Sequence, residues 1–171
     1  MTATTVWKGK YIEAVVDGRW EYVKRARGIG AAVILALTDE EEVVLVEQAR
    51  VPLGRNCIEL PAGLVGDETA GEEAAASAER ELEEETGFAA QHWEELGEFA
   101  SSPGMVGETF RLFRATGLTR VGTGGGVSNE EIVPHVVKLT EVPAFLAAKR
   151  GEGCAIDVKL LAVLPYAKGR P

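Results

Sequence analysis

The stretch between residues 68 and 88 constrains the fold most, because it reads as one amphipathic helix with an acidic end. Ala75, Ala78 and Leu82 recur at helical spacing and form a stripe that a core can cover. Thr69-Ala70-Gly71-Glu72 fits a capping box at the start, and Gly87 stands where a left-handed C-terminal cap belongs. Eight glutamates fall between residues 68 and 85, five of them between 79 and 85. Glu81 and Glu85 are one turn apart and share a face that Glu84 flanks. Like charges at this spacing repel, and the helix dipole disfavours anions at a C-terminus. On charge alone the segment is either a solvated acidic face or a site for a hard cation, which prefers oxygen ligands. Arg80 is one turn before Glu84 and is placed to pair with it.

Strands account for most of what surrounds this helix. Residues 11–16 and 20–24 flank Asp17-Gly18, a hairpin signal. The continuous apolar run 29–37 predicts a strand buried on both faces. Further strands are predicted at 43–46, 58–60, 96–100, 109–115 and 132–139, and residues 122–129 form a glycine-rich loop read as mobile. Thr140 is placed to cap a helix running to about 149, and a last helix starts near Asp157 and bends or ends at Pro165. Mixed strands with few helices predict an α/β sandwich. The 171 residues suggest one domain, with residues 1–27 as an N-terminal hairpin sheet and 28–171 as the core. A net charge of -9 argues against nucleic-acid binding, which needs clustered cations. Residues 1–10 lack the apolar run of a signal peptide, and no stretch reaches the roughly 18 apolar residues of a membrane span. The expectation is a cytoplasmic protein without a membrane partner, with Cys57 and Cys154 as free thiols.

Gly66, Glu72, Arg80, Glu81, Leu82, Glu84, Glu85, Gly87 and Phe88 match the spacing of the Nudix box, nine specified positions over 23 residues. The chain therefore resembles the Nudix hydrolases. Glu59-Leu60-Pro61-Ala62-Gly63 before the box and Ser102-Pro103-Gly104 beyond it resemble the ADP-ribose pyrophosphatase branch. So do residues 20–25 and Arg50-x-Pro52-x-Gly54. In two places the chain departs from the branch. Gly63 and Gly66 are separate glycines, so the loop before the helix is about three residues longer, and Ser128 stands where an acid is often found.

The resemblance implies a Nudix α/β/α sandwich that hydrolyses the pyrophosphate of ADP-ribose or a related nucleoside diphosphate sugar. The products are a nucleoside monophosphate and a sugar phosphate. It implies Mg²⁺, with Mn²⁺ as a substitute, held by Glu81, Glu84, Glu85 and the carbonyl of Ala62. It also implies a homodimer that shares its N-terminal sheets. Glu130 and Glu131 are candidates for the general base or a further ligand, or else are solvated loop residues. Trp20 is either a platform for the base or part of the hairpin core. Arg25 and Arg50 are candidates for the base edge and the phosphates, and Glu59 for sugar hydroxyls. His92 and His135 are read as non-ligands. Two alternatives stay open: a GDP-mannose-type hydrolase, towards which the Gly-Gly-Gly-Val loop leans, and a Nudix-like module that senses nucleotide without cleaving it. The intact acidic cluster argues against the second.

Overall fold

The computed structural model describes residues 3–26, 29–66, 73–127 and 131–168. The N-terminal sheet has three antiparallel strands, β1 (Thr4–Lys8), β2 (Ile12–Asp17) and β3 (Trp20–Arg25). Asp17 and Trp20 face each other across a turn in which Gly18 takes φ 60°. The hairpin is as expected, and β1 is an addition to it. Val23 ties this sheet to the body through a parallel bridge to Val106.

The body is built on β4 (Gly30–Ala36). It pairs antiparallel with β7 (Ala62–Val65) and parallel with β9 (Thr109–Arg120), and β9 pairs with β8 (Phe88–Ala100), giving a mixed sheet in the order β7-β4-β9-β8. A second sheet runs β10-β5-β6-β11, from β10 (Ile132–Lys138), β5 (Glu42–Arg50), β6 (Arg55–Glu59) and β11 (Ala155–Ile156). Leu37 bridges to Val43 where the two sheets meet.

Side chains alternate across β4, as a strand buried on both faces requires. Ala32, Ile34 and Ala36 join Val44, Phe113, Ala78 and Leu82 on one side, under helix α1 (Ala74–Thr86). Val33 and Leu35 join Leu45, Ile58 and Leu112 on the other. There Val142 and Leu146 of α2 (Val142–Gly151) and Leu160 of α3 (Val158–Val163) complete the core. The β layer thus lies between helices, which is the expected sandwich. No helix among the described residues is long and apolar enough to cross a membrane.

Helix boundaries differ from the sequence reading in three places. The buried stripe of α1 is Ala74, Ser77, Ala78 and Leu82, and Ala75 is exposed. The i, i+4, i+8 row through 74, 78 and 82 faces the sheet, which turns 75 outward. The helix begins at Ala74 with Glu73 at its N-cap, and the expected capping segment 69–72 lies outside the described residues. For α2 the N-cap is Glu141 rather than Thr140, with Pro143 in the first turn. The C-cap of α1 is as expected, with Gly87 left-handed at φ 73° and its N–H bonded to the Glu83 carbonyl at 2.9 Å.

Candidate active site

Helix α1 turns its acidic face toward β7, where the backbone makes room for it. The Glu85 carboxylate is buried, 5% exposed, and accepts a hydrogen bond from the Ala62 N–H at 3.0 Å. Charge alone left Glu85 either on a solvated face or at a cation site, and the close approach of β7 is what covers it. The Glu81 side chain lies against Gly63. A Cβ at position 63 would meet Glu81 Cδ at 2.0 Å and Cγ at 2.2 Å, so only glycine admits the carboxylate there. Arg80 Nη1 lies 3.1 Å from both Glu81 Oε1 and Glu84 Oε2. One guanidinium therefore bridges two carboxylates and offsets the repulsion that the spacing alone made costly. The expected Arg80–Glu84 pair is present, with Glu81 as a second partner.

The end of α1 has a further support. Gly125 and Gly126 donate N–H bonds to the carbonyls of Glu85 and Glu84 at 3.0 and 2.9 Å. These are terminal carbonyls with no partner inside the helix. Gly124 has φ 68°, and a Cβ on it would lie 2.4 Å from the Thr86 carbonyl carbon. The described part of the glycine-rich loop is thus docked on the acidic helix. Beyond it, Ser128 and Glu130 lie outside the described residues, and Glu131 is exposed and does not line the cleft.

The acidic face opens into a cleft of about 440 Å³. Its far side carries Arg50 and Glu59, which the sequence reading assigned to separate substrate groups. The structure pairs them: Arg50 Nε and Nη2 donate to the two Glu59 oxygens at 2.6 and 2.8 Å. Glu59 is 6% exposed. Its bond and charge, with a contribution from the charge of Glu85, raise the pKa of Arg50 above its ordinary value. A fork-to-fork pair of this kind fixes the guanidinium in orientation as well as charge. Arg25 also lines the cleft, where Nη2 and Nε bond to Glu108 Oε1 at 2.6 and 2.8 Å.

Glu108, Gln48, Ser101 and Lys159 line the cleft and were not anticipated. Glu108 had an indirect signal in Ser102-Pro103-Gly104. That turn is closed by N–H bonds from Met105 and Val106 to the Ser102 carbonyl, and it brings Val106 to Val23 and Glu108 to Arg25. Trp20 is 56% exposed, which rules out the core reading. It lines a separate cavity of about 340 Å³ with Tyr22, Pro103 and Val106. His135 bonds to Glu47 at 3.2 Å, and Glu47 is not among the residues that line the cleft. Both cysteines are free and buried, and burial pushes the Cys57 thiol up to about 12.

Glu81, Glu84 and Glu85 offer the hard oxygen donors that a divalent cation takes. Among the described residues no three acidic, histidine or cysteine side chains converge as a ready cation site. In this arrangement the Arg80 guanidinium lies between Glu81 and Glu84, and a Glu85 oxygen is turned to the Ala62 N–H. The donor set fits a cation once Arg80 withdraws from one carboxylate.

The fold and site together define an α/β/α sandwich whose carboxylate-bearing helix faces a wall that carries Arg50 and Arg25. Residues 27–154 match the NUDIX domain, and the chain belongs to that family, whose members generally use divalent metals. It is 34% identical over 152 residues to the methanol dehydrogenase activator of Bacillus methanolicus, covering 85% of this chain and 80% of that one. It is also 34% identical over 167 residues to the ADP-ribose pyrophosphatase of Bacillus subtilis, covering 94% and 87%. A GDP-mannose pyrophosphatase of Cronobacter sakazakii is 34% identical over 149 residues, covering 82% and 73%. The fold matches a solved ADP compounds hydrolase with a TM-score of 0.65 at 20% identity, covering 84% of this chain and 81% of that one.

Proposed function

We propose that the protein hydrolyses the pyrophosphate bond of ADP-ribose or a related nucleoside diphosphate sugar, releasing a nucleoside monophosphate and a sugar phosphate. The observation that carries this reading is the pairing, across one cleft, of the Glu81–Glu84–Glu85 face with the Arg50–Glu59 and Arg25–Glu108 pairs. A diphosphate is anionic, so the glutamate face would meet it through a bound cation while Arg50 and Arg25 meet it from the opposite wall. The similarity to the B. subtilis ADP-ribose pyrophosphatase over most of both chains supports the substrate class.

When bound, Mg²⁺, or Mn²⁺ in its place, would supply charge neutralisation and Lewis-acid polarisation of the phosphoryl oxygens from Glu81, Glu84, Glu85 and the Ala62 carbonyl. Arg50 presents its guanidinium to the diphosphate, and Glu59 keeps it oriented. Arg25 does the same from the N-terminal sheet, with Glu108 as its support. Glu130, which follows the glycines that bond to α1 in the chain, is the proposed acceptor of the proton of the attacking water, since Glu131 is exposed and off the cleft wall. Phosphoryl transfer needs mainly positioning and electrostatics, and these residues supply both.

We further propose a homodimer. The N-terminal sheet exposes Val6, Trp7, Tyr11, Ile12 and Trp20, a large apolar surface for a small sheet. In that assembly Trp20 serves as the platform for the base at the site of a second copy.

The similarity to a GDP-mannose pyrophosphatase favours one alternative, that guanine and mannose replace adenine and ribose. Phosphate release from ADP-ribose and from GDP-mannose, coupled to a phosphatase and measured with and without Mg²⁺, tests the proposal. Release that depends on Mg²⁺ from either one supports it, and the ratio between them ranks the two substrates. Release from neither contradicts it.

A further inference from the structure

We propose that Lys159, on α3, is a substrate-binding residue that contacts an oxyanion of the diphosphate. This inference rests on the reading of the cleft as a nucleoside diphosphate site. Among the described residues, five glutamates line the cleft, at 59, 81, 84, 85 and 108, against Arg25, Arg50, Arg80 and Lys159. Each arginine is paired with one or two of those wall glutamates, Arg25 with Glu108, Arg50 with Glu59, and Arg80 with Glu81 and Glu84. Lys159 differs. Its ammonium pairs with Asp157, which does not line the cleft and which caps its own helix.

The chain path explains how the ammonium reaches the cleft. Strand β11 runs parallel to β6, with Ala155 beside Cys57 and Ile156 beside Ile58. The Asp157 N–H then bonds to the Ile58 carbonyl at 3.0 Å, so the chain turns into α3 next to Glu59. Asp157 Oδ1 accepts from the Lys159 N–H at 2.8 Å and fixes the first turn. Leu160, fully buried in the main core, anchors that turn from the other side. The backbone of Lys159 is therefore held on both sides while its side chain remains 28% exposed at the wall formed by β5 and β6.

The chemistry suits an oxyanion. An ammonium is a compact point charge with three N–H donors, and the bond to Asp157 engages one of them. A phosphate oxygen can join without breaking that bond. The arginines come to the substrate with their charge already balanced by wall acids. Asp157 holds the Lys159 ammonium from off the cleft wall, so an anion in the cleft meets that ammonium without a wall carboxylate paired to it.

The test uses the full chain as wild type, Lys159→Gln and Lys159→Arg. Each is titrated calorimetrically with ADP and with inorganic pyrophosphate in the presence of Mg²⁺, and its turnover of ADP-ribose is measured alongside. Lys159→Gln should weaken binding of both ligands by roughly tenfold or more, the scale of a hydrogen bond to a charged group. The KM for ADP-ribose should rise by a similar factor while kcat changes little, and Lys159→Arg should recover most of the loss. The melting temperature should fall only slightly in Lys159→Gln, because the Asp157 cap acts on a backbone N–H that every variant keeps and only the part-exposed ion pair to Asp157 is lost. Equal binding by wild type and Lys159→Gln would overturn the proposal, as would binding of neither ligand by wild type. A loss of binding accompanied by a large fall in melting temperature and unrelieved by arginine would make the residue structural. A wild type that leaves ADP-ribose uncleaved while the binding difference persists contradicts the proposed function and leaves Lys159 standing as an anion contact.

Discussion

Replacing Glu85 separates catalysis from stability, because one of its oxygens has a visible structural task. Glu85→Gln keeps a carbonyl oxygen that can accept the Ala62 N–H now bonded at 3.0 Å, and it removes one charge from a face shared with Glu81 and Glu84. The first change exchanges a charge-assisted bond for a neutral one, and the second relieves repulsion worth a few tenths of a kcal/mol while giving up the attraction between Glu85 and Arg50. Stability should therefore stay within about 1 kcal/mol of wild type, or roughly 2–4 °C in melting temperature for a chain of this size. Glu85→Ala leaves the Ala62 N–H without its acceptor in a site that is 5% exposed. That costs about 1–3 kcal/mol, or a fall of several degrees. Both variants remove a candidate metal ligand, so turnover at fixed Mg²⁺ should fall by orders of magnitude in each. The assay is a thermal melt beside a Mg²⁺ titration of ADP-ribose hydrolysis. Near-wild-type turnover of Glu85→Gln at saturating Mg²⁺ would refute the ligand role. Equal melting temperatures for the Gln and Ala variants would refute the structural one.

Three further outcomes are expected. Gly63→Ala places a Cβ 2.0 Å from Glu81 Cδ, so the carboxylate must leave its position, and the Mg²⁺ concentration for half-maximal activity should rise severalfold; an unchanged Mg²⁺ dependence would remove Glu81 from the metal site. Trp20→Ala should raise KM roughly tenfold to a hundredfold, the scale of base–aromatic stacking, while an exposed Trp20 leaves the melting temperature nearly unchanged. An unchanged KM would end the stacking role. Glu47 is held down to about 2 by the hydrogen bond from Asn56 and then by Lys149 and His135, with burial opposing them. Unfolded Glu47 protonates near its ordinary 4.5, so its stabilising contribution is complete above that pH and disappears as pH falls toward 2. Denaturant melts of Glu47→Gln should lose part of the acid dependence seen in wild type over that window, and identical profiles would contradict it.

Much of this was legible in the sequence where periodicity and burial act together. The run at 29–37 became a strand buried on both faces, and the left-handed Gly87 ended the acidic helix. What was missed depends on partners distant in the chain. Strand β1 is exposed throughout and so has no alternating signal, and β7 is four residues whose pairing with β4 is its only definition. The sequence brought Arg50 and Glu59 forward as separate contacts. The antiparallel register of β5 and β6 sets Arg50 opposite Arg55 and Val46 opposite Glu59, four residues apart along the hairpin, and the two long side chains span that offset to pair. Lys159 gave no local signal, because its position follows from a two-residue strand that pairs in parallel with β6. The glycine-rich loop was read by composition as mobile. Its described part is fixed by close backbone contact with α1, which is the contact its glycines permit.

The central claim is that the acidic face of α1 supports hydrolysis of a nucleoside diphosphate sugar at its pyrophosphate. The most direct measurement is product analysis by chromatography after incubating the wild-type chain with ADP-ribose, GDP-mannose, UDP-glucose, dinucleoside polyphosphates and nucleoside triphosphates, with Mg²⁺ and with a chelator. The expected result is a nucleoside monophosphate and a sugar phosphate from ADP-ribose or another nucleoside diphosphate sugar, with Mg²⁺ only. Intact nucleoside diphosphate sugars in every Mg²⁺ sample, or equal cleavage with chelator present, would contradict it.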